Sequence, residues 1–163
     1  MVDVNFATST TNRSDPTARA RLLHPAARSG EPVDESILHA IAAGLGAVAV
    51  VAGDPGHGVV ERSRLLATEA YDAWLLVWGP GAVVEPHDHD GSIGVLHVVG
   101  GQLLEVAAGI DGSRPMVLRR LDEGATSSFG VTELHGLRNP TQTATVAVAV
   151  YSPPLGETAP PRP

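Results

Sequence analysis

Cysteine is absent from the 163 residues. The chain therefore forms no disulfide, offers no thiolate to a metal and carries no cysteine nucleophile; any metal must be held by imidazole or oxygen. Lysine is absent as well: all 11 basic residues are arginines, against 18 acidic ones, for a net charge of −7. Aromatics amount to only 4% and there is no basic stripe, so the phosphate and stacking contacts of nucleic-acid binding are missing and no such partner is expected. Long hydrophobic runs are missing too. The longest, HAIAAGLGAVAVVAG, begins at His39 and is too short to cross a bilayer. The N-terminus has no basic segment leading into an apolar one, so no secretory signal is read there and a cytoplasmic location is expected.

What is present describes a globular chain: 43% hydrophobic and 18% charged residues, 18 glycines and 13 prolines. The length fits one domain able to bury most of its apolar surface. Residues 1–16 and 156–163 read as disordered tails, with a single domain over 17–155 between them. Within it, 17–46 is the helical part. TARARLLHPAARS is interrupted by Pro25. DESILHAIAAGL places Ile37, Leu38, Ile41 and Leu45 at helical spacing, with Asp34 as N-cap, Glu35 in the first turn and Gly46 as terminator. From residue 47 the pattern changes. AWLLVWG, IGVLHVVGG, QLLEVAAGI, PMVLRRLDEG and ATVAVAVYSPP are short, rich in Val and Leu, and punctuated by Gly, Pro or Asp, as the strands of an all-β barrel or sandwich are.

The histidines carry the chemical signal. His87 and His89 stand one residue apart in EPHDHDGSIG. On a strand, residues i and i+2 share a face, so both rings can aim at one cation while Asp88 points away. A third ligand must come from elsewhere, and His24, His39, His57, His97 and His135 are the candidates. His24 and His39 fall in helical segments and His57 in a glycine-rich turn. His97 has the parity of His89 but suits a core or cross-strand role better. His135 lies where another strand begins. Glu133, two residues earlier, shares its parity and is a candidate acceptor behind it, with a solvated charge as the plainer reading.

Here the residues resemble a family. Gly81, five residues, His87-Asp88-His89 and a strand closing on Gly101 resemble the first signature of the cupin superfamily; His135-Gly-Leu-Arg-Asn139 resembles the end of the second, with Gly130 and Thr132 where Pro and Gly are usual. The glutamate cupins usually carry four or five residues after the histidine pair is replaced by Ile93 or Gly94. Three histidines without a carboxylate are similar to the ligand set of the cysteine dioxygenase-like thiol dioxygenases, as are WGPG before His87 and YSPP at Tyr151–Pro154. The resemblance, running from about Arg64 to Pro154, implies a mainly β fold, the double-stranded β-helix of cupins. It also implies an Fe(II) ion on His87, His89 and His135, although imidazole by itself suits Ni, Mn, Cu and Zn too. It implies a small mercapto-carboxylate and O2 as reactants, Tyr151 beside the metal, and an arginine gripping the substrate carboxylate. Arg64 is the better match for that arginine and Arg62 the fallback.

The chain departs from the family at the tyrosine. A serine and a histidine usually precede it on its strand; Ala147 and Ala149 stand there. The cysteine that cross-links to the tyrosine in cysteine dioxygenases proper corresponds to Gly94. Two other readings are therefore open, a metal-dependent cupin enzyme with a relined, more apolar pocket, and a non-catalytic cupin that binds a small ligand. The residues say nothing of oligomeric state.

Overall fold

The structure, a computed structural model, describes residues 32–51, 53–110 and 115–155. The expected tails and the proline-broken helical segment over 17–29 lie outside these residues. Among the described residues one helix, α1 (Glu35–Val48), precedes nine strands: β1 (Val60–Ala67), β2 (Asp72–Trp78), β3 (Val83–His87), β4 (Ile93–Gly100), β5 (Gln102–Gly109), β6 (Val117–Asp122), β7 (Thr126–Phe129), β8 (Glu133–Arg138) and β9 (Thr145–Ser152). They form two sheets, ordered β1-β2-β9-β4-β7 and β3-β8-β5-β6. Every pairing is antiparallel.

Alternation along the strands builds two apolar layers. Trp74, Leu76 and Trp78 of β2, Leu96 and Val98 of β4, and Ala147, Ala149 and Tyr151 of β9 point inward, where Val84, Leu103, Leu121 and Leu137 of the opposite sheet meet them. The alternate residues Ala73, Leu75, Val77, Val95, Val148 and Val150 form a second layer beneath α1. Covered on both faces, β2 is buried along its whole length, which explains its apolar run from Ala73 to Trp78. Strand β1, on the sheet edge and largely exposed, carries the polar run Glu61–Arg64.

Asp34 caps α1 as expected, its carboxylate accepting from the Ser36 amide. Leu38, Ala42 and Gly46 form the buried stripe, while Ile37 is exposed. Gly46 does not end the helix, which continues to Val48. A Cβ there would stand 3.0 Å from both His97 and Val99; the glycine lets the helix lie close against β4, and that packing extends the helix past it. Among the described residues, no helix is long and apolar enough to cross a membrane.

Candidate metal centre

The three histidines reach one point by different routes. His87 ends β3 and pairs directly with His135 across β8. Strict alternation from the inward-facing Val84 would turn His87 outward. The register shifts between Val84 and His87: Val84 pairs with Leu137 and His87 with His135, so three steps on β3 oppose two on β8. This bulge turns the ring inward. His89 lies beyond the strand, in a turn closed by Ser92 N–H donating to the His89 carbonyl at 3.1 Å, with Asp90 at φ 50°. The two rings thus do not share a strand face, contrary to the expectation from their spacing; the turn aims the second. Asp88 points away and accepts from the Asp90 amide at 3.2 Å. Ser92, itself buried, donates to the Pro153 carbonyl at 2.8 Å, so the YSPP segment ties down the loop that carries His89.

Ring centroids are 4.9 Å apart for His87–His89, 5.2 Å for His87–His135 and 4.9 Å for His89–His135. Their ligand atoms lie within 4.8 Å of one another, and no other group of three His, Cys, Asp or Glu side chains of this kind occurs among the described residues. Hydrogen bonds set two of the tautomers. His87 Nδ1 donates to the Glu85 carbonyl at 2.8 Å and His135 Nδ1 donates to Glu105 at 3.0 Å, which leaves each Nε2 with a free lone pair. His89 has no hydrogen-bond partner at either nitrogen although it is buried. It is held by ring contacts, stacked on Phe129 at 4.5 Å and tilted against Tyr151 at 4.9 Å. An imidazole buried with both nitrogens unmet is costly unless a metal takes one of them. The residues therefore fit a metal ion.

Burial drives the His89 pKa down to about 2, with the other two rings adding to the effect. It drives His87 down to about 4, against the Glu85 hydrogen bond. Both rings are neutral at pH 7, the form that ligates. The unfolded chain takes up these protons near pH 6.5, before the folded one does. The metal-free protein is thus at full stability above pH 6.5 and loses stability as pH falls through 6 and 5. Urea titrations at pH 7.5, 6.0 and 5.0 should show the midpoint dropping, and His87→Gln combined with His89→Gln should flatten the trend. A midpoint unchanged between pH 7.5 and 5.0 in the parent protein would contradict this assignment.

Two carboxylates stand near the site. Glu105, 1% exposed, accepts from His135 Nδ1 and from Ser127 Oγ, the latter at 2.6 Å. Burial raises its pKa, but those bonds and the Arg119 charge outweigh it and keep the group ionised. Glu133 is not the acceptor behind His135; it closes its own turn by accepting from Gly130 N–H at 2.8 Å. The sequence sign of Glu105 was a lone charge at an inward position of an apolar strand. Asp72, also buried, pairs with Tyr151 across the β2–β9 ladder. Burial first, then Asp72, raise the Tyr151 pKa, with Arg62 opposing, so the phenol is a protonated donor.

A cavity with about 20 Å3 open to the centre of a water molecule lies beside the rings, lined by His87, His135, Tyr151, Arg62 and the apolar Leu76, Trp78, Val84, Leu96 and Leu137. Arg64 instead lays its guanidinium over Trp74, 4.7 Å from the ring centroid. The other histidines are elsewhere. His97 faces the helix layer and bonds Thr126 at 3.0 Å, and His39 bonds Ser128 at 2.9 Å. His57 sits in the turn beside Gly81, and His24 lies outside the described residues. Asn139 does not ligate: its amide donates to the carbonyls of Trp78, Gly79 and Thr143, pinning the WGPG turn.

Residues 60–159, well over half the chain, match the family model of cysteine dioxygenase type I. No curated protein matches the chain. Similar solved structures include KdgF from Halomonas sp., with 22% identity and a TM-score of 0.51 over 58% of this chain and 78% of that one. The cupin domain of Cnp3 from Schizosaccharomyces pombe gives 11% identity and 0.51 over 57% and 60%. An oxalate oxidase gives 20% and 0.52 over 58% and 51%. At these identities the likeness shows the fold, a cupin barrel.

Proposed function

The chain belongs to the cysteine dioxygenase type I family, and on that premise we propose that it is an Fe(II)-dependent thiol dioxygenase acting on a small mercapto-carboxylate. The observation that carries the reading is the convergence of His87, His89 and His135 beside a cavity that also holds Arg62 and Tyr151. One thiol and one O2 give one sulfinic acid: two S–O bonds form, the O–O bond breaks, and sulfur gives up the four electrons that the oxygens take. An Fe(II) ion on the three imidazoles would supply adjacent positions for the thiolate and O2, lowering the thiol pKa and holding the reactants together.

The chain's own residues do the rest. Arg62 offers a guanidinium fork to the substrate carboxylate. The Tyr151 phenol donates a hydrogen bond into the same space. The apolar side chains exclude water and strengthen both contacts. Those five side chains, with Ala147 and Ala149 behind them in the core, also favour a substrate whose body is apolar. The partners are then a small thiol and O2.

Full-length protein reconstituted with Fe(II) is expected to consume one O2 per thiol with cysteine, 3-mercaptopropionate or a less polar mercapto-acid. Bound iron without uptake across that panel would reject the thiol dioxygenase and leave a cupin enzyme of another reaction or a ligand-binding cupin. Arg62→Met should raise KM by about ten- to a hundredfold, the loss of a charge-assisted bidentate contact. Arg64→Met, which removes a contact with Trp74, should change KM by less than about threefold. A larger effect at Arg64 would return the carboxylate contact to that residue.

A further inference from the structure

Behind His135 a buried polar chain connects the two sheets to the solvent. Glu105, on β5, sits diagonally across from His135 on β8 and directly opposite Arg119 on β6. Its Oε1 accepts from His135 Nδ1 at 3.0 Å. Its Oε2 accepts from Ser127 Oγ, on β7 of the other sheet, at 2.6 Å and lies 3.7 Å from the half-exposed Arg119 guanidinium. Arg119 Nη1 in turn donates to Ser127 Oγ at 3.3 Å. Because Ser127 already accepts from Arg119, its single proton goes to Glu105. The donors therefore converge on Glu105, from the surface through Arg119 and Ser127 and from the site through His135, and both of its oxygens must accept.

The geometry points to Glu105 as a positioning residue that holds His135 in its Nδ1-protonated tautomer, with Nε2 bare toward the other two rings, and to Ser127 and Arg119 as the groups that fix the polarity of that hold. This deepens the proposed function, since it rests on His135 being a ligand. His89, which lacks any such bond, is held by packing, and His87 by a backbone carbonyl. Only the His135 tautomer depends on an ionisable side chain.

The discriminating variant is Glu105→Gln, which is nearly isosteric. Ser127 and Arg119 both donate, so they draw the amide oxygen to their side. The amide nitrogen then faces His135 Nδ1, which must become an acceptor, and the imidazole proton moves to Nε2, where a metal would bind. Long-range 1H–15N spectra of the metal-free full-length protein should show His135 protonated at Nδ1 in the parent and at Nε2 in the variant. Titration with Co(II) should show Kd rising by about ten- to a hundredfold, with the urea midpoint reported alongside to establish folding. A variant that keeps the Nδ1-protonated ring, or whose Co(II) affinity stays within twofold of the parent, overturns the inference. If the parent binds no Co(II), the metal-site reading fails, while the ring spectra still decide what Glu105 does.

Discussion

Replacing His89 by leucine is expected to abolish metal binding and O2 consumption while leaving the metal-free protein as stable as before or more so. Both nitrogens of this buried ring are without partners, and burying unmet polar groups costs about 1–3 kcal/mol. Leucine removes that cost and keeps apolar contact with Phe129. What is lost is the stabilisation conferred by a ligand, about 2.7 kcal/mol at a metal concentration one hundred times Kd. Urea denaturation with and without Co(II) checks both parts. The parent should show a metal-dependent rise in midpoint and His89→Leu none, from a baseline at or above the metal-free parent. A variant that still responds to metal would remove residue 89 from the site; one that unfolds would show that the ring has a structural partner instead. The trade of stability for a site is common where a group is held ready for a ligand.

The second large effect is expected at Gly94, the position of the family's cross-linking cysteine. An added Cβ would fall 2.0 Å from Cε2 of Phe129 and 2.3 Å from its Cζ. That ring cannot swing away freely, because it is packed between His89 at 4.5 Å and His135 at 4.1 Å. Gly94→Ala should therefore destabilise by about 1–3 kcal/mol and weaken metal binding by displacing the ring on which His89 rests. Gly94→Cys should do the same and should not join to Tyr151, although the two residues pair across β4 and β9, since the Phe129 ring fills the place its Cβ and sulfur would need. Phe129→Leu in the Gly94→Ala background should recover part of the stability. Denaturation midpoints and intact mass, which falls by two hydrogens on cross-linking, decide the matter. Full stability in Gly94→Ala, or a cross-link in Gly94→Cys, would mean that the ring yields and that glycine is not required by packing.

Phe129 also shows how one short strand can serve several sites. In β7, Ser127 and Phe129 point inward, the first to Glu105 and the second to His89, while Ser128 points outward to His39 and Glu35. Four residues without a strong apolar alternation left this strand out of the sequence reading. Period-2 patterns are visible only where one face is uniformly apolar.

The residues by themselves determined the mainly β character, the capped helix and the His87/His89 pair, because strand composition, N-cap chemistry and imidazole spacing are local properties. His135, one of five candidates for the third ligand, was singled out by the resemblance to the family. The tertiary structure alone decided three things. The bulge in β3 turned His87 inward, and the turn after it, not strand parity, aimed His89. Glu105 became the partner of His135 because β5 pairs with β8, thirty residues away in the chain, while Glu133 was spent on its own turn. Arg62 rather than Arg64 lines the cavity. Each outcome depends on which strands neighbour one another and in what register, and that is settled by burying the apolar surface of the whole barrel at once.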